Sequence, residues 1–241
     1  MIDSLVLLFA LVTFFSSIVS ATFGLGGGFI ILAVLGIVLP VSAMVPLHSV
    51  LALGLLASRF WYFREHVSWG IVRSFVPGAL IGVVIGARIY VALPEAFIAG
   101  TVSLLIIATV WFPRVRWRPS FRHPFFYVGI VHAFLSTLFS FGALMQPLMI
   151  RTRLSRMQII GTLGAALFVM TFMKTVGYAA FGFDYRPYIG IIVAGVLASI
   201  PGAAVGKRLA HRFREDQFRL AFRLLMTLLA LRLLYRAWTL I

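Results

Sequence analysis

The chain contains no cysteine, which removes disulfide frameworks and thiolate metal centres from consideration. Charge is scarce as well. Charged residues make up 11% of its 241 positions, where an ordinary soluble domain carries about 25%. Acidic residues are rarest, 6 against 21 lysines and arginines. All six, Asp3, Glu65, Glu95, Asp184, Glu215 and Asp216, stand at the ends of apolar runs. That placement argues against a carboxylate proton relay and against a catalytic carboxylate pair. No Gly-x-Ser-x-Gly elbow occurs either, so no enzyme activity is expected, and no residue pattern calls for a metal or a cofactor. The opening Met-Ile-Asp-Ser has no Lys or Arg, unlike the n-region of a secretory signal. Residues 5–23 are therefore expected to be a retained membrane segment.

What the chain has in abundance is apolar length. Hydrophobic residues make up 62% of it, with a mean hydropathy of +1.06. Apolar runs recur at 5–23, 29–63 with breaks, 69–93, 96–112, 125–150 with breaks, 157–181, 188–206 and 217–240. About 20 residues cross a bilayer core, so the sequence reads as an all-α, polytopic integral membrane protein with no stretch left for a soluble domain. The formal charge of +15 would suggest nucleic acid in a soluble protein. Here the cations fall mainly between apolar runs, as in cytoplasmic loops lying against anionic lipid. The lipid bilayer, not nucleic acid, is the expected partner.

Charge also sets direction. Arginine-rich connections lie at 113–123, 151–156 and 207–216, with a weaker one after residue 63, whereas those near 40–46, 91–95 and 182–187 are poor in cations. If the basic loops face the cytoplasm, spans 47–63, 69–91 and 96–112 run out-to-in, in-to-out and out-to-in, and spans 157–180, 188–206 and 217–238 run the opposite way. The halves also resemble each other. "GVVIGARIYVALPEAF" (82–97) lies over "GAAVGKRLAHRFREDQ" (202–217), and "SRFWYF" (58–63) over "MKTVGY" (173–178), which sets Arg59 opposite Lys174. The expected organisation is a first transmembrane repeat over 1–112, a basic cytoplasmic loop over 113–124 and a second repeat over 125–241. The two repeats have inverted topology, and each opens with a Gly-broken or re-entrant helix followed by three transmembrane helices, the pattern of secondary transporters. Arg232 and Arg236, near the outer end of the last span, do not fit this scheme.

"GLGGG" (24–28) places four glycines in five positions inside an apolar run, although glycine costs a helix about 1 kcal/mol relative to alanine. Irregular backbone at membrane depth is tolerated only where it is buried in protein or lines a wet cavity. Two readings follow. The amides of Gly24, Gly26, Gly27 and Gly28 could converge on an anion at the start of the next helix, or the glycines could simply let helices pack closely. Gly142 is the glycine that the second half keeps at the matching place. Polar residues inside spans are few: His48, Ser49, Ser58 and Arg59, then His132, Gln146, Thr162 and Lys174. Such residues usually face a pathway. Arg59 and Lys174 have no intramembrane carboxylate nearby in sequence, so a small anionic substrate is a candidate counter-charge. Snorkelling to the interface is the plainer alternative for both. His48 and His132 read either as helix contacts or as groups for anion recognition and proton carriage.

At these residues the chain resembles the sulfite exporter TauE/SafE family. "GLGGG" followed by "VPLHSVLALGLLASRFWYFREHVSW" (45–69) looks like its first repeat, including a Leu-His motif and a Ser-Asn-x-x-Arg-like stretch. "FGALMQPLMIRTRLSRMQIIGTLGAALFVMTFMKTVGYAAFGFDY" (141–185) looks like the second. The resemblance implies a bacterial-type inner-membrane permease for sulfite, sulfonates or related organic anions. The sequence departs from the family at Ala33, Ala57 and Gln146, where proline, asparagine and glycine are common. The expected function is a multi-pass secondary transporter working by alternating access. Its substrate would be bound by Gly24, Gly26, Gly27, Gly28, His48, Ser49, Arg59, His132, Gly142, Gln146, Thr162 and Lys174. An anion channel is one alternative, and a haem protein ligated by His48 and His132 another. The 23 phenylalanines offer surface to lipid or to a second protomer, which leaves a homodimer open.

Overall fold

Ten helices follow one another in a computed structural model that describes residues 2–23, 26–111, 123–140, 144–149, 151–209 and 215–240. They are α1 (Ile2–Phe23), α2 (Gly27–Val38), α3 (Val41–Phe63), α4 (Trp69–Ala92), α5 (Glu95–Trp111), α6 (Pro124–Phe139), α7 (Met145–Met149), α8 (Arg156–Ala180), α9 (Ile189–Leu209) and α10 (Glu215–Thr239). No strand occurs among the described residues. Among the described residues, five segments are long and apolar enough to cross a membrane: Ser4–Thr22, Val41–His66, Trp69–Ala92, Arg156–Ala180 and Arg186–Leu209. Helices α2, α5 and α6 are apolar but shorter. The expected span over 217–240 is present as α10 but is not among the five. Most of the basic loop at 113–124 lies outside the described residues, as do Gly24 and Gly142.

Two helix ends are capped by residues of positive φ. Gly26 caps α2 with φ 99°, a backbone that glycine adopts without steric cost and other residues rarely do. The second break falls on a serine: Ser140 caps α6 in the left-handed conformation with φ 54°. Helix α7 is five residues long, about 7 Å, and cannot cross a bilayer. Helix α8 begins at a capping box in which Gln158 N–H donates to Ser155 Oγ at 3.3 Å and Ser155 N–H to Gln158 Oε1 at 2.9 Å, satisfying two otherwise free donors.

The chain divides into two compact units, and neither is one of the sequence halves. The first comprises Met1–Leu55, Pro94–Pro113 and Asp184–Ile241, the second Leu56–Leu93 and Arg114–Phe183. In the first, α1 and α9 run parallel, with glycines drawing the backbones together. A Cβ on Gly202 would collide with the Phe14 carbonyl, and one on Gly206 would sit 2.6 Å from the Ile18 carbonyl. Thr22 Oγ1 adds a 3.1 Å bond to the Gly206 carbonyl. Helices α5 and α10 are antiparallel, with Gly100 near Ala237 and Trp111 Nε1 donating to Thr227 Oγ1 at 3.0 Å.

The second unit repeats the device. Helices α4 and α6 are parallel, with Gly78 against the Phe126 carbonyl, Gly82 against that of Ile130 and Gly86 against Thr137. Small residues permit this approach where lipid supplies no hydrophobic drive between helices. Val72, Phe75 and Ala79 of α4, Met145 and Met149 of α7 and Met170 of α8 form its core.

Candidate anion-binding site

Ten of the twelve expected site residues can be located, and they fall into three groups. The first is in unit one. A Cβ on Gly28 would lie 3.3 Å from His48 Nε2, so the α2 N-terminus and the imidazole are neighbours. Gly27 instead packs on α1: its Cβ position is filled by the Ser16 carbonyl and Ser20. Close packing is thus the role of Gly27, and Gly28 stands beside a histidine. Ser49 is buried and donates its hydroxyl to the Val45 carbonyl at 3.0 Å, a bond within its own helix.

The second group joins α3 to α8 in unit two. Thr162, fully buried, accepts the Ser68 N–H at 2.9 Å and so ties α8 to the start of α4. Two residues on, Gly164 gives room for the Arg59 stem, whose Cγ would lie 3.1 Å from a Cβ there. Lys174 is ten residues further along α8, about 15 Å of helix. Arg59 and Lys174 are thus carried by different stretches of α8 and its neighbours.

Lys174 is the centre of the third group. Only 2% of it is exposed. Its ammonium donates to the Ser136 carbonyl at 2.7 Å and to Ser136 Oγ at 3.1 Å. The same carbonyl already accepts Ser140 N–H at 2.9 Å, so Lys174 braces the last turn of α6, where a cation suits the helix dipole. Both partner oxygens are neutral, and an ammonium has three donors. One turn before Ser136, His132 is fully buried with Nδ1 and Nε2 both lacking a hydrogen-bond partner. The ring stands edge-on to Phe75 at 6.0 Å. Tyr178, one turn after Lys174, donates its hydroxyl to the Thr137 carbonyl. Gln146 is half-buried on α7.

Several polar groups here were not anticipated from sequence. Ser136 holds the lysine, and its spacing of four from His132 on one helix face was the available signal. In unit one, Thr13, Ser16 and Ser17 bury hydroxyls without partners. Arg236, out of place in the charge scheme, donates to the Gly36 carbonyl at 3.0 Å and the Leu39 carbonyl at 2.7 Å. It closes the C-terminal end of α2. Glu95 accepts from Ser42 N–H at 3.2 Å and Ser42 Oγ at 2.6 Å, in the first turn of α3. No cluster of His, Asp or Glu able to hold a metal occurs among the described residues.

Five helical segments of spanning length among the described residues define the class: a polytopic helical membrane protein. The chain belongs to the sulfite exporter TauE/SafE family, whose model matches residues 9–233, nearly the whole sequence, and it is thereby one of a family of membrane transporters. No curated protein and no solved structure gives a match.

Proposed function

We propose that the protein is a secondary transporter of the inner membrane that carries a small sulfur-containing oxyanion, sulfite or a sulfonate, by alternating access. The observation that carries this reading is Lys174, a buried cation held by two neutral oxygens. Isolated buried charge is costly, and an anionic substrate would supply the missing counter-charge. His132, one helical turn from the lysine's partner Ser136 and with both ring nitrogens lacking hydrogen-bond partners, is the neighbouring group able to bond an oxyanion oxygen. In the other unit, the α2 N-terminus beside His48 is a second place suited to oxyanion oxygens.

Inverted repeats are the architecture we infer. Each half reads, in order, one helix, a short helix after a break, then three helices. The matched pair α5 and α10 is antiparallel, and the first helix of each half packs parallel on the fourth of the other. Broken helices opening two such repeats are the usual setting of a transporter's binding site. Reconstituted protein should exchange labelled sulfite or sulfoacetate across liposomes, with efflux accelerated by substrate on the far side. Flux without that acceleration, accompanied by steady currents, would make the protein a channel instead.

A further inference from the structure

Away from the buried lysine, an open groove of about 450 Å³ lies between the second and third turns of α4 and the start of α6, lined by Arg73, Ser74, Pro77, His123, Phe126 and Tyr127. We propose that this groove seats the phosphodiester head group of an anionic phospholipid, with the acyl chains lying along the two helices beyond it.

Charge is the first argument. Arg73 and His123 are exposed at the rim, Ser74 adds a hydroxyl, and none of the lining residues is acidic. An arginine fork matches a phosphate in geometry as well as charge. The second argument is the order of residues along the helices. Because α4 and α6 are parallel here, both proceed from polar to apolar in the same direction. On α4, Arg73 and Pro77 are followed by Leu80, Ile81 and Val84, all exposed. On α6, His123 and Tyr127 are followed, at the same helical spacing, by exposed Val131. A phospholipid presents its phosphate and its chains in that order. The close approach of Gly78 to the Phe126 carbonyl closes the groove from behind, so its opening is on the outer face of the pair. Exposed Trp69 stands at the same end, as aromatic residues do at a membrane interface. The sequence charges assign that end to the cytoplasm, where anionic lipid gathers basic groups.

The test uses the purified full-length protein, delipidated and then titrated with phosphatidylglycerol or phosphatidylcholine in matched micelles, with bound lipid read by native mass spectrometry. Phosphatidylglycerol should be retained preferentially, and the double variant Arg73→Gln/His123→Gln should bind it about fivefold more weakly, the loss expected on removing one arginine near a membrane surface. Arg73→Lys should keep most of the preference. A photoactivatable phosphatidylglycerol should label peptides containing Pro77 or Phe126–Tyr127 in the wild type, which tests the groove without any substitution. Equal retention of both lipids, unchanged binding by a folded double variant, or labelling elsewhere would overturn the proposal. Equivalent competition by glycerol phosphate alone would also overturn it, by making the site one for free phosphate. Oxyanion transport is a separate readout, so failure of this proposal leaves the transport reading standing.

Discussion

The two compact units are clamped by the same device and differ in what they enclose. In each, glycines let two parallel helices meet backbone to backbone, Gly202 and Gly206 of α9 on α1 and Gly78, Gly82 and Gly86 of α4 on α6. In each, a long cation reaches a helix C-terminal carbonyl: Arg236 at α2 and Lys174 at α6. The surroundings of the two cations diverge. Arg236 is half-buried and bonds two carbonyls at the end of a helix, while Lys174 is almost wholly buried and bonds Ser136, one turn from a histidine whose ring nitrogens have no hydrogen-bond partner. A helix cap needs only a carbonyl and a partly wet cation. Burial of Lys174 near an unsatisfied histidine exceeds that need, and the proposed anionic substrate would account for the excess.

The comparison breaks most sharply at Lys174. Lys174→Met should reduce transport about 100-fold or more, since breaking a buried charge contact costs about 2–5 kcal/mol or more. The variant should remain folded, because replacing a buried charge with an apolar side chain is often neutral or stabilising; transport assays and a melting curve on one preparation check both halves. Next in size are Gly82→Ala and Gly202→Ala. Each places a methyl into a backbone carbonyl of the facing helix, and overpacking of this kind costs about 1–3 kcal/mol. The two should lower the melting temperature by similar amounts, and a large inequality would mean that the clamps are not equivalent. Arg236→Gln should cost about 1–2 kcal/mol of stability through the lost helix-end contact while leaving substrate affinity unchanged in a binding titration. The smallest effect is expected from Gly28→Ala, which needs His48 to give by a few tenths of an ångström. A few-fold loss of affinity without a change in melting would assign that glycine to binding, whereas a stability loss alone would assign it to packing.

Much of the architecture was legible because membrane crossing leaves strong periodless signals: long apolar runs, basic connections and a glycine cluster. The break at residues 24–28 could be read from composition, since no other residue makes four successive helix defects. The sequence points to a second break around Gly142, but the left-handed residue that caps α6 is Ser140, and a serine in that conformation has no distinctive sequence mark. Interleaving of the halves was equally hidden. Glycines at 82, 86, 202 and 206 suggested a repeat, but which helix each meets depends on long-range packing. Lys174 and His132 stood out as polar residues in apolar spans. Their partners did not: Ser136 is an ordinary serine until the fold brings α8 to α6. Arg236 looked anomalous in sequence because charge counting treats every arginine as a topological marker, and here one is absorbed by the carbonyls of Gly36 and Leu39.

The most direct test of the central claim is ligand-dependent stability of detergent-purified wild type and Lys174→Met across sulfite, sulfate, thiosulfate, sulfoacetate, taurine, acetate and chloride at matched ionic strength. A ligand at about 100 times its dissociation constant adds about 2.7 kcal/mol to the native state. Selective stabilisation of the wild type by sulfite or one sulfonate, lost in Lys174→Met, is the predicted result. Equal stabilisation of both proteins, or indifference of the wild type to every anion, would contradict the assignment of Lys174 as the substrate's counter-charge.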